Sequence, residues 1–240
     1  MLSHKLSVII PCFNEDRLIY SVLVKVAEAT SQLPIPVEII VVNDGSADKT
    51  SQQIGLFSKE ANMYIHEITH TENRGKGACI RTALQYITGT IVIIQDADLE
   101  YDPRDYAKML PLILEDRADV VYGSRFRGGE PQRALFFFHT TGNKLLTFAS
   151  NLFTQVSLTD METGYKMFKA DILKRLTLKE NRFGFEPEVT AKISRNKQLR
   201  IYEVGISYHG RTYNEGKKIK WTDGVRALYC IVKYNLFSKA

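Results

Sequence analysis

The sequence predicts an α/β protein: a doubly wound, mostly parallel sheet flanked by helices, Rossmann-like in plan. Three features predict it. Short apolar runs rich in β-branched residues recur at 6–11, 37–42 and 91–94. Between them, apolar residues return at helical spacing. The third run, Ile91-Val92-Ile93-Ile94, breaks off into Gln95-Asp96-Ala97-Asp98-Leu99-Glu100. A strand buried on both faces reads this way where it leaves a parallel sheet at its carboxyl end, the edge at which open α/β sheets bind ligands.

Taken in order, 6–11 is an apolar strand, Ile19, Val22, Leu23, Val26 and Ala27 mark one face of a helix, and 37–42 is a second strand, giving a βαβ unit. Turn chemistry from Asp44 to Asp48 opens a helix at 49–60; 63–68 is a weaker strand and 76–87 a helix. After the strand at 91–94, Asp102-Pro103 is suited to cap a helix at 104–115, and 119–123 is a fifth strand. Beyond it the pattern is less regular. Residues 123–133 form a loop rich in Gly and Arg, 134–153 a long helix heavy in Phe and Leu, and 157–168 a polar loop. Pro187 fits the first turn of a helix running to Asn196, 200–207 is a strand, and 222–237 a last helix.

With 240 residues and 44% hydrophobic content, the chain can bury a sizeable core. Cys12, Cys79 and Cys230 are odd in number and irregular in spacing, which speaks against a disulfide framework or zinc site and for a reducing cytoplasm. The amino terminus runs into a strand without the regions of a signal peptide, and no apolar run approaches the roughly 20 residues that span a bilayer. The net charge of +5 is uneven: residues 192–240 hold eleven Lys/Arg against three Asp/Glu. Such an end calls for a partner or a surface.

Asp96 and Asp98 are two apart, so on an extended segment both point to one side and could share a hard divalent cation, with Glu100 continuing the series. The cation would carry a diphosphate. Taken alone, the same acids serve as readily to cap the next helix, and spacing alone makes Asp44 a turn residue. His139 and His209 sit in no triad-like pattern and receive no catalytic role.

Five motifs in order carry a resemblance. Val8-Ile9-Ile10-Pro11-Cys12-Phe13-Asn14-Glu15, Val41-Val42-Asn43-Asp44-Gly45-Ser46, Arg74-Gly75-Lys76-Gly77, Asp96-Ala97-Asp98-Leu99 and Gly123-Ser124-Arg125-Phe126 follow as in family 2 glycosyltransferases of the GT-A fold. The run Leu158-Thr159-Asp160-Met161-Glu162-Thr163-Gly164-Tyr165-Lys166 resembles the dolichol-phosphate mannose synthase branch and its bacterial polyprenyl-phosphate relatives. The resemblance covers roughly residues 6–221.

It implies a nucleotide pocket at Pro11, Phe13, Glu15, Asn43 and Asp44, with Glu15 and Asp44 accepting from the base and Phe13 packing on it. Asn43 stands where the family often has Asp; it loses a charge and keeps an acceptor. Lys76 would meet phosphate, helped by backbone donors of its loop. Asp96 and Asp98, with Glu100 where some relatives have Gln, would hold Mg²⁺ or Mn²⁺ on the sugar diphosphate. Asp98, Arg125 and Asp160 are the implied catalytic residues: Arg125 near the reacting phosphates, Asp160 with Thr163-Gly164 in the segment closing over the donor sugar. Arg133 and Arg211 are candidates for the acceptor phosphate. We read 1–240 as one domain, with a nucleotide-sugar half (1–127) and an acceptor half (128–240) ending in the last helix.

The expected activity is inverting, metal-dependent transfer of a hexose from GDP-mannose or UDP-glucose to a polyprenyl (dolichyl or undecaprenyl) phosphate at the cytoplasmic face. A lipid phosphate is already an anion, so the task is to hold two repelling phosphates with a cation and arginines. A hydroxyl acceptor would need a base, with Asp160 the first candidate. The helix at 134–153 and the segment 221–237, beside Lys217, Lys218 and Lys220, could lie on the membrane surface; a small membrane partner, a core or a dimer contact are the other uses. The alternatives are a soluble or glycan acceptor and a non-catalytic nucleotide-sugar subunit. The basic end lacks a nucleic-acid-binding motif, so no nucleic-acid partner is expected.

Overall fold

The computed structural model describes residues 4–129, 133–134, 137–211 and 221–237. Strands β1 (Leu6–Cys12), β2 (Val37–Asn43), β3 (Ile65–Thr69), β4 (Ile91–Ile94), β5 (Val120–Ser124), β6 (Lys166–Lys169) and β7 (Ile201–Gly205) form one sheet in the order β3-β2-β1-β4-β6-β5-β7. Helices α1 (Ile19–Ser31), α2 (Thr50–Glu60), α3 (Lys76–Ala83), α4 (Tyr106–Leu114), α5 (Phe137–Thr154), α6 (Ala170–Arg175), α7 (Phe185–Ile193) and α8 (Trp221–Val232) connect and cover them. The expected mostly parallel architecture is present: β6 runs antiparallel to β4 and β5, and the other pairings are parallel.

Alternation along β1 explains both layers. Leu6, Val8 and Ile10 pack on α1 and α4 through Ile19, Val22, Leu23, Tyr106, Met109 and Leu110. Ile9 faces the other way and joins Ile40, Val42, Cys79 and Ile80 of β2 and α3, with Phe185 and Val189 of α7. A strand covered on both sides is apolar throughout, which is why these strands lack the period-two signal of a half-exposed sheet.

Strand order places the site. From β1 the chain winds outward through β2 and β3, then returns to set β4 on β1's other side. Strand order reverses there, and the loops after β1 and β4 part to leave a crevice at the carboxyl edge. Because β6 is antiparallel and pairs Met167 with Ile93, its first residue, Lys166, arrives at that same edge. The preceding loop is thereby laid across the crevice.

Three local expectations differ from the structure. The first turn of the helix expected at 104–115 is a 3₁₀ turn, Pro103–Asp105, with Asp102 accepting from Arg104 N (3.0 Å) as its cap; α4 starts at Tyr106. The polar loop expected at 157–168 ends in β6, whose Lys-Met-Phe-Lys has too little apolar pattern to announce a strand. It pairs because β4 and β5 each offer it an open ladder edge. The last helix gives way to a π-helical turn at Lys233–Phe237. Lys217, Lys218 and Lys220, named above for a membrane surface, lie outside the described residues.

Candidate active site

The residues expected to form the nucleotide pocket meet at the ends of β1 and β2. Asn14 N donates to Ser46 Oγ (2.9 Å), Ala47 N to Asn14 Oδ1 (2.9 Å) and Glu15 N to Thr50 Oγ1 (3.0 Å), so the two loops are stitched together. Pro11, Phe13 and Glu15 stay partly exposed beside this seam. Asn43 is buried and turned into its own loop: Oδ1 accepts from Ser46 N (3.0 Å) and Nδ2 donates to Ser51 Oγ (2.8 Å). Asp44 is also buried. Its carboxylate accepts from Asn73 Nδ2 (3.0 Å), Arg74 N (3.0 Å) and Gly75 N (2.6 Å), and pairs with His70 Nδ1 (2.7 Å). Burial would raise this carboxyl, but the bonds from Arg74, His70 and Gly75 outweigh it and hold it below the ordinary range. An acceptor role toward a base would require one of these bonds to open.

The same bonds shape the Arg74–Gly77 turn. Gly75 has φ +96°, and the backbone of Asn181 occupies the space where its side chain would lie. The backbone donors expected to meet phosphate are turned to protein acceptors, Gly75 N to Asp44 and Ala78 N to Asn181 O (3.2 Å). The Lys76 side chain points into the crevice and bridges Asp96 Oδ1 (2.7 Å) and Glu186 Oε1 (2.9 Å). Burial works against its charge; the two acids more than restore it and raise its pKa.

The acids after β4 are shared between two cations: Lys76 faces Asp96, and Arg211 faces both Asp98 and Glu100. Asp98 Oδ2 accepts from Arg211 (2.8 Å); Glu100 accepts from Arg211 N (3.0 Å) and from Tyr208 Oη (2.6 Å). Burial, then Asp96 and Glu100, pushes the Asp98 carboxyl up to about 7, with Arg211 opposing. Asp96, Asp98 and Glu100 offer the hard oxygens that Mg²⁺ or Mn²⁺ takes, and a divalent charge would relieve the repulsion among them, so their chemistry fits the group. They are not drawn into one ligand set, because Lys76 holds Asp96 while Arg211 holds Asp98 and Glu100. Gly164 lets them pack: a Cβ there would overlap Asp96 Oδ2 and come within 2.9 Å of the Tyr101 ring. Among the described residues the set whose possible ligand atoms all lie within 4.8 Å of one another is Asp44, His70 and Cys79, all buried, and not the expected Asp96, Asp98 and Glu100. There His70 already pairs with Asp44 and, through Nε2, with Thr82 Oγ1 (2.9 Å), which makes the set a brace for the turn.

Arg125 and Asp160 face each other. Arg125 Nε and a terminal nitrogen each donate to the Asp160 carboxylate at 2.7 Å, its backbone N adds a third bond (3.0 Å), and Asp160 is fully buried. The guanidinium also stands over the Tyr208 ring, 5.2 Å from the centroid. Arg133 is exposed; its side chain donates to Gly210 O (3.1 Å) and its backbone to Tyr208 O (3.1 Å), which brings it beside Arg211. Sequence reasoning assigned nothing to Glu162, Lys166 or Glu186. Lys166 is buried and donates to Thr163 O; burial lowers its pKa to about 8. Lys166 and Glu162 stood inside a quoted motif, but Glu186 is brought in only by α7.

A switch-point crevice with a run of acids at its edge, crossed by a loop that an antiparallel strand returns to the same edge, defines the GT-A glycosyltransferase class. The chain belongs to glycosyl transferase family 2: the family profile matches residues 7–177. It is 24% identical to a dodecaprenyl-phosphate galacturonate synthase of Rhizobium johnstonii over 90% of this chain and 62% of that one. It is 24% identical to a dolichyl-phosphate beta-glucosyltransferase of Trichomonas vaginalis over 96% and 73%. In three dimensions it is similar to glucosyl-3-phosphoglycerate synthase of Mycobacterium tuberculosis, solved with Mn²⁺, UDP and phosphoglyceric acid: TM-score 0.75, 16% identity, 99% of this chain and 80% of that one. That likeness concerns the fold.

Proposed function

We propose that this chain moves a hexose from a nucleotide sugar, GDP-mannose or UDP-glucose, to a polyprenyl phosphate, with inversion and dependence on a divalent cation, at the cytoplasmic face of a membrane. The relatives named for dodecaprenyl and dolichyl phosphate support the acceptor. The observation that carries the reading is the state of Asp160. A fully buried carboxylate with three of its roughly four acceptor sites taken by one arginine is poorly placed to take a proton from an acceptor hydroxyl, and is a poor general base. An anionic acceptor needs none.

Phe13 and Glu15 bind the base, with Asn43 and Asp44 fixing the loops behind them. Lys76 meets the diphosphate. Asp96, Asp98 and Glu100 would hold Mg²⁺ or Mn²⁺, which supplies charge to the departing nucleoside diphosphate. Arg211 and Arg133 orient the acceptor phosphate, one oxygen of which bonds to the sugar's anomeric carbon as the bond to the diphosphate breaks on the opposite side. Arg125, held by Asp160 and Tyr208, lines the reacting centre, and reaches a phosphate by giving up one of those contacts. Among the described residues no helix is long and apolar enough to cross a membrane. The exposed Phe137, Phe138, Leu145 and Phe148 of α5 support docking on a lipid surface.

The test is transfer of radiolabel from GDP-mannose and, separately, UDP-glucose into organic-extractable lipid, with polyprenyl phosphate and Mg²⁺ or Mn²⁺ supplied. Label in lipid from one donor, abolished by EDTA and by Asp98→Ala, is expected. Nucleotide sugar that binds without labelling lipid would overturn the lipid acceptor.

A further inference from the structure

One buried oxygen in the crevice has no partner. Among the described residues, Glu162 Oε1 is buried without a hydrogen bond. Glu162 lies two residues before Gly164, which abuts Asp96, and directly before Thr163, whose carbonyl takes Lys166 Nζ. It is therefore on the loop laid across the crevice, on the side of the acids rather than the nucleotide seam. Where the other buried side-chain polar atoms among the described residues are paired, such an acceptor is left open for a ligand to complete.

We propose that Glu162 reads the donor sugar: its open oxygen accepts a hydroxyl of a neutral hexose, and its surroundings turn away a hexose bearing a C6 carboxylate. This rests on the donor-site reading above. The exclusion follows from the cations nearby, each of which is committed. Lys76 is held by Asp96 and Glu186, Arg125 by Asp160, and Lys166 by the Thr163 carbonyl. Four carboxyl groups (Asp96, Asp160, Glu162, Glu186) thus stand among three cations (Lys76, Arg125, Lys166), and a phosphate that draws Lys76 or Arg125 away takes that charge for itself, so no positive charge is left for a sugar carboxylate. Burial and Glu186 push the Glu162 carboxyl up to about 8, against Lys166 and Arg125. Charged or protonated, it leaves the count without a surplus cation. A hydroxyl, by contrast, supplies the missing donor and adds no charge.

The experiment is calorimetric titration of the full chain, with Mg²⁺ or Mn²⁺, with donor pairs differing only at C6: UDP-glucose against UDP-glucuronate, and GDP-mannose against GDP-mannuronate. UDP and GDP alone are run beside them. For the pair that binds, the neutral sugar is expected at least tenfold tighter. Glu162→Leu, which removes the open oxygen, should narrow that ratio at least fivefold while leaving the bare nucleotide unchanged. Glu162→Asp, which keeps the carboxyl group and withdraws its oxygen, should weaken the neutral sugar and preserve the exclusion. Equal binding of both sugars by the unaltered protein, or an unchanged ratio in folded Glu162→Leu, overturns the inference while the donor-site reading stands. Absence of binding by every nucleotide overturns that reading itself.

Discussion

Asp44 shows how one side chain can organise a site from behind. Its carboxylate gathers His70, Asn73 and the backbone of Arg74 and Gly75, and so sets the turn that presents Lys76. Asp44→Ala strands these buried donors together, and we expect it to cost about 3 kcal/mol of stability. Urea unfolding measures it; a loss below about 1 kcal/mol would mean that water replaces the carboxylate. Gly164 is the complementary case, needed for the room it leaves. Gly164→Ala would drive a methyl into Asp96 and Tyr101, so we expect at least a tenfold fall in transfer with far-UV circular dichroism unchanged. Retained activity would show that the loop can move away without disturbing the acids.

Helix α8 and the π-helical turn that follows it are tied to the site through Glu180. Glu180 accepts from Arg226 (2.7 Å), Lys233 (3.0 Å) and Tyr234 (2.7 Å), while its backbone oxygen takes Arg81 of α3 (2.6 Å). Gly77 runs directly under that same carbonyl, so the tether of α8 and the turn around Lys76 share one support. Burial alone would raise the Glu180 carboxyl; bonds from Arg226, Tyr234 and Lys233 overcome it and hold it at about 2, against about 4.5 for an ordinary Glu. A depressed folded pKa contributes stability that is full above about 4.5 and is lost as pH falls through about 2. Amide exchange in α8 should therefore accelerate, relative to β1, between pH 4.5 and 2. Glu180→Gln should remove most of that dependence; an identical pH profile in the variant would show that other acids release the helix.

Across the whole molecule, chemistry and apolar surface are separated. The crevice lies at the carboxyl edge of the sheet, whereas α5, which packs on α7 and α8, leaves Phe138 86% and Phe148 60% exposed. Large apolar residues together on one helix mark an interaction surface, and lipid is the partner that fits a polyprenyl acceptor. Replacing Phe138, Phe148 and Leu152 with Ser should release the protein from phosphatidylglycerol-containing vesicles in a sedimentation assay. Stability should move by no more than about 0.5 kcal/mol per site. Undiminished sedimentation would assign that face to another contact.

The sequence by itself determined the parallel strands, because a strand buried on both faces must be apolar throughout, and it marked where they end, because an acid cannot follow them into the core. Asp96, Asp98 and Glu100 were legible for that reason. It did not show β6, a four-residue strand that exists because two neighbours offer it hydrogen bonds, nor the crossing loop that β6 pulls over the crevice. Nor did it show which charges meet. Lys76 and Glu186 are far apart in the chain, and Arg125 and Asp160 come from separate motifs; only the sheet order brings each pair within 3 Å. Local pattern records what each segment must bury. Pairing between distant charges leaves no periodic trace, and so it was decided by the tertiary structure alone.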